Sequence, residues 1–186
     1  MKRTSVQKLV FSALFLALGL LLPFLTGQIP EIGSMLCPMH LPVLLCGFVC
    51  GGPWAAVVGA VTPLLRSLLF TMPRLFPTAL AMAFELAAYG LASGLLYKWL
   101  PKKVPFLYVS LAGAMLLGRV VWGVASLAIY RFGMSQAFTW QLFAAGAFLN
   151  AIPGMVVQLV LIPLIVLALQ KARLMPLGGC HGEAVC

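Results

Sequence analysis

What most restricts this chain is how little charge it carries along continuous apolar runs. Of its 186 residues 63% are hydrophobic and 8% are charged, where a soluble domain carries about a quarter charged residues. So few charges cannot cover a water-facing surface, which excludes a soluble enzyme and a nucleic-acid-binding domain. The runs are continuous rather than alternating with period two, which argues against a β-barrel. At about 20 apolar residues per crossing, the length suits six spans. The expected fold class is an all-α integral membrane protein of six transmembrane helices with both termini cytoplasmic.

The breaks in the apolar pattern place the helices at about 6–26, 39–51, 53–70, 77–100, 105–131 and 142–170, with a short cytoplasmic tail over 171–186. Residues 27–38 interrupt the pattern with prolines, glycines and Glu31, and Gly51-Gly52-Pro53 forms a turn. The second helix is short for a full crossing. Lys2, Arg3 and Lys8 before the first apolar run resemble the n-region of a signal peptide. That run is long for an h-region and no small-x-small site closes it, so it reads as the first span.

Twelve basic residues oppose three acids. In a soluble protein this would point to nucleic acid; in a membrane protein it is first a matter of topology. Lys2, Arg3, Lys8, Lys98, Lys102, Lys103, Lys171 and Arg173 all fall on the side of the termini. Arg74 and Arg131 fall at the opposite ends, with Arg66 near by. By the positive-inside rule the termini are cytoplasmic. No G-x-x-x-x-G-K-[ST] motif occurs, so the chain carries no ATPase of its own.

Ionisable groups at membrane depth are costly and call for a reason. Glu85 lies about 12 Å below the outer end of helix 4, and Arg119 about 18 Å from the outer end of helix 5, at about 1.5 Å per residue. They are either a structural ion pair or part of a substrate cavity. Arg66, in the outer half of helix 3, either snorkels outward along its stem or contacts ligand. Tyr89 follows Glu85 by one turn, and Trp122 follows Arg119 by three residues. Asn150 and Gln158 share a face of helix 6, where bonding between helices is the plain alternative. His40, between Pro38 and Pro42, is either a loop hydrogen-bonder or a further site residue. Together these groups suit a small polar ligand.

Cys46 and Cys50, one turn apart, behave as small hydrophobes. Cys180, His181 and Cys186 resemble a metal site only superficially, and a cytoplasmic tail keeps thiols reduced. No metal or cofactor is expected. Ala13 and Ala17, with Gly19 close behind, make a small-xxx-small stripe on helix 1 that admits a close partner helix.

Six short spans, no ATPase and Ala13-x-x-x-Ala17 resemble the substrate-binding S-components of energy-coupling factor (ECF) vitamin transporters. The strings Pro38-Met39-His40-Leu41-Pro42, Leu44-Leu45-Cys46-Gly47, Gly51-Gly52-Pro53-Trp54 and Asn150-Ala151-Ile152-Pro153-Gly154 add to the likeness, which runs from helix 1 to about Leu169. The resemblance implies capture of a vitamin from outside and docking on a transmembrane T-component with two cytoplasmic ATPases, in the cell membrane. It assigns the docking contact to Ala13 and Ala17. It assigns a lid to residues 27–37 and substrate contact to helices 4 to 6. Transport would proceed by toppling of the whole subunit in the bilayer, without covalent chemistry.

The ligand stays open. Arg119, with Arg66, suits a carboxylate and favours pantothenate among the family's acids, which include lipoate, niacin and folate. Glu85 suits a ligand bearing hydroxyl, amine or ring N–H, such as pyridoxine, a pyrimidine or queuine; riboflavin and cobalamin are further family ligands. If Glu85 pairs with Arg119 the cavity is neutral and neither argument holds. Pantothenate is the first choice. The rival readings are a self-sufficient secondary transporter or channel and an intramembrane transferase. The latter lacks any serine–lysine, paired-aspartate or histidine–metal arrangement.

Overall fold

The computed structural model describes residues 5–25, 38–101, 104–131 and 152–171. Among these the regular elements are all helical, as a chain in hydrocarbon requires, since a helix satisfies its backbone polar groups within itself. They are α1 (Ser5–Leu25), α2 (His40–Cys50), α3 (Gly52–Phe70), α4 (Leu80–Trp99), α5 (Val104–Ile129) and α6 (Ile152–Lys171). Five stretches are long and apolar enough to cross a membrane: those of α1, α3, α5 and α6, and Leu75–Trp99, which contains α4. The 11 residues of α2 make a rod of about 16 Å, roughly half a hydrocarbon core. It is instead a buried plug: most of its residues, from His40 to Cys50, are hidden. Residues 142–151 of the expected sixth helix, the 27–37 segment and the tail beyond Lys171 lie outside the described residues.

Local chemistry sets two boundaries. Gly51 closes α2 and opens α3 with φ 95° and ψ 164°, a conformation essentially restricted to glycine. Its N–H donates to the Gly47 carbonyl at 3.2 Å, and its own carbonyl accepts from the Ala55 N–H at 3.1 Å. Pro53 follows in the first turn of α3, where a missing N–H costs nothing. Regular α4 starts at Leu80 rather than at 77. Phe76, which precedes a proline, is extended (φ −123°, ψ 131°), because the α region is disfavoured there. A wide turn over Leu75–Ala79 leads into the helix.

The centre of the bundle is α4, which packs against α2, α3 and α5, while α6 packs on α5 and α2. Its approach to α3 is antiparallel and at backbone distance. Gly94 faces Gly52, Gly90 faces Ala55, and the Leu86 carbonyl faces Gly59. A Cβ at Gly90 would sit 2.5 Å from the Ala55 carbonyl oxygen, and one at Gly59 would overlap the Leu86 backbone. Small residues at this spacing let helices in lipid gain close dispersion contact. The seam also fixes α4 in rotation, so Glu85, next to Leu86, points away from lipid. The outer faces of the bundle are apolar, with Phe84, Leu116, Val120, Val124, Val160 and Leu164 all exposed.

Candidate substrate site

Three helices bring a polar cluster together inside this apolar body. Glu85 on α4 is 2% exposed, and its Oε1 lies 2.9 Å from Nη1 of Arg119 on α5. The contact is an ion pair whose N–H is not aimed for a hydrogen bond. His40, the first residue of α2, is buried, with Nε2 3.5 Å from the same Glu85 oxygen. Neither His40 ring nitrogen has a hydrogen-bond partner among the described residues. One turn beyond Glu85, the fully buried Tyr89 ring meets His40 edge to face, with centroids 5.1 Å apart and planes at 76°. Opposite Tyr89, Gly118 leaves bare backbone: a Cβ there would lie 2.9 Å from three atoms of the ring.

The arrangement holds one acid, one guanidinium and an imidazole in a low-dielectric interior. The Glu85–Arg119 pair cancels its own charge, so what the cluster can offer a ligand is directed hydrogen bonds more than net charge. Guanidinium brings five donors, carboxylate brings acceptor sites, and imidazole brings one of each when neutral. Such a set can hold a small molecule bearing both a carboxylate and hydroxyl or amide groups.

The other sequence candidates differ in burial and surroundings. Trp122 is half-buried on α5, one turn past Arg119, and Gln158 is buried on α6. Asn150 lies outside the described residues. Arg66 has a different environment. Its Nη1 donates to the Leu20 carbonyl at 2.9 Å, in the turn of α1 that Pro23 disturbs. Its guanidinium sits over the rings of Phe24 (5.3 Å) and Phe70 (5.7 Å), which meet edge to face at 4.8 Å. Arg66 therefore does not snorkel to water; it is buried as a tie between α1 and α3. Replacing it by Met is expected to cost about 2 kcal/mol through the lost charged hydrogen bond and cation–π contacts. Ligand affinity should change by less than about threefold, as for independent sites. Calorimetric titration checks this, and a tenfold loss would restore Arg66 to the ligand contacts.

On α1, Ala13 and Ala17 are exposed, whereas Ser12, Phe15 and Gly19 turn inward. Gly19 does not extend the outward stripe: a Cβ there would meet the Thr62 methyl at 2.8 Å. Gly118, absent from the sequence candidates, lies against Tyr89 of the cluster. It continues a buried small-residue stripe with Ser110 and Ala114, a spacing that marks close packing without naming the partner.

Five helical stretches long and apolar enough to cross a membrane, packed around a buried polar cluster, have the make-up of a multi-pass membrane protein. Residues 7–166 match the family model for the ECF transporter, substrate-specific component, and the chain belongs to that family. No curated relative and no solved structure matches. Membership makes the chain a multi-pass cell-membrane protein and the substrate-specific subunit of a transporter, not a catalyst. The family's general partners are a small-molecule substrate and the transmembrane and ATPase subunits of the ECF module.

Proposed function

We propose that this chain captures a small, polar, vitamin-class molecule at the Glu85–Arg119–His40–Tyr89 cluster and delivers it through an ATP-driven ECF module. Pantothenate is the first ligand to test. The observation that carries the reading is His40, buried beside an ion pair with neither ring nitrogen hydrogen-bonded by the described residues. Burying such groups without partners costs free energy, and a ligand that supplies partners recovers it. In this reading the ligand carboxylate meets Arg119, and its hydroxyls meet Glu85 and His40. One guanidinium can serve Glu85 and a ligand together through its several donors. Trp122, Gln158 and Asn150 complete the wall. Six helices cross or enter the bilayer with both termini in the cytoplasm, so the cluster opens to the outside, and Ala13 and Ala17 form the docking face.

Purification of the full chain from cells grown on rich medium, followed by mass spectrometry of released small molecules, tests the ligand. Pantothenate retained in near-stoichiometric amount is the expected result. Retention of a neutral molecule such as pyridoxine would move the assignment to a ligand without a carboxylate, as the charge-cancelled pair allows. Uptake in cells lacking the ECF ATPases separates the capture subunit from a self-sufficient transporter: transport that persists there would overturn the proposal.

A further inference from the structure

The cluster closes on itself as a circuit of side chains. Arg119 pairs with Glu85, Glu85 lies beside His40, His40 packs on Tyr89, and Tyr89 lies against Gly118, the neighbour of Arg119. Three of these contacts need a particular functional group. The fourth, Tyr89 against Gly118, needs the absence of one. The ideal Cβ position at Gly118 is 2.9 Å from Cδ2, Cε1 and Cε2 of Tyr89 alike, so a methyl would press on the ring rather than pass its edge. Tyr89 is 1% exposed. An outward push from α5 is therefore passed to the groups packed on the ring, His40 among them.

We propose that Gly118 is a specificity-determining residue of the substrate site. Its bare backbone seats the Tyr89 ring against α5, and this seating sets the distance between His40 and the Glu85–Arg119 pair. A change in that distance alters how the three polar groups can share a ligand. The inference rests on the substrate site proposed above, and its test is arranged so that the two can fail separately.

The test is a double-variant cycle in the full chain. Gly118→Ala is made with Tyr89 present and again in a Tyr89→Leu background, where the flexible leucine can yield. All proteins carry His181→Gln; because the chain has two histidines, His40 is then the single imidazole visible by NMR. With Tyr89 present, Gly118→Ala is expected to lower pantothenate affinity about tenfold, as overpacking does, and to shift the His40 ring resonances. In the leucine background the same change should cost less than about threefold and leave His40 in place. Equal effects in both backgrounds, or none in either, would overturn the proposal. If the parent protein does not bind pantothenate, the ligand assignment fails alone, and the His40 resonances still decide the role of Gly118. If Gly118→Ala yields no folded protein while the double variant does, Tyr89→Leu alone decides: unchanged affinity and an unmoved His40 overturn the inference.

Discussion

Glu85→Gln is expected to lower the unfolding temperature of the detergent-purified protein by on the order of 10 °C, from about 3–5 kcal/mol lost when one partner of a buried pair is removed. The carboxylate is 2% exposed and 2.9 Å from the Arg119 guanidinium. Taking it away leaves the cation in the low-dielectric interior without its counter-charge, and glutamine cannot replace that charge. The companion variant Glu85→Gln with Arg119→Met removes both charges at nearly constant volume. Replacing a buried pair by neutral groups is often close to neutral for stability, so most of the lost unfolding temperature should return. Ligand binding should not return, because the groups proposed to hold the ligand are gone. Recovery of both properties would make the pair purely structural and would sink the substrate-site reading. Recovery of neither would show that the pair is needed to form the fold.

This pair was legible in the sequence because helix rise is constant. Counting from the outer ends of helices 4 and 5 puts Glu85 and Arg119 at comparable depth, and few other groups compete for them. His40 was readable as the start of the second helix, but its role stayed open between loop hydrogen-bonder and site residue. The fold turns it toward Glu85 on α4. Arg66 illustrates the opposite difficulty. Its depth is readable, but its partner is the Leu20 carbonyl, and no pattern in sequence says which backbone group an arginine will meet. The α3–α4 seam did leave a trace, since Gly90-x-x-x-Gly94 repeats the small-residue spacing noted on helix 1. Gly118 left the same trace, four residues after Ala114, but the spacing does not say which ring it admits. Residues 27–37 and Asn150 lie outside the described residues, so the lid rests on the family resemblance and Asn150 on its spacing from Gln158.

Ala13→Trp is expected to abolish ATP-driven uptake while leaving ligand affinity and unfolding temperature unchanged. The two faces of α1 make the difference. Phe15, Ser12 and Gly19 are turned into the bundle, where Ser12 Oγ approaches Cys46 Sγ at 3.9 Å and Gly19 lies under Thr62. Ala13 and Ala17 are turned out, flanked by exposed Leu14, Leu18 and Leu21. An outward indole displaces only lipid in the isolated subunit, so it should not disturb the core. Against another helix it holds apart two backbones that a methyl would let approach, which removes the close packing such interfaces depend on. The comparison needs two measurements on one variant: vitamin affinity of the purified subunit, and uptake in cells expressing it with the transmembrane and ATPase subunits. Uptake lost with binding kept assigns the alanines to docking. Loss of both in proportion would mean that this face of α1 packs within the subunit, and the docking surface would have to be sought elsewhere on the bundle.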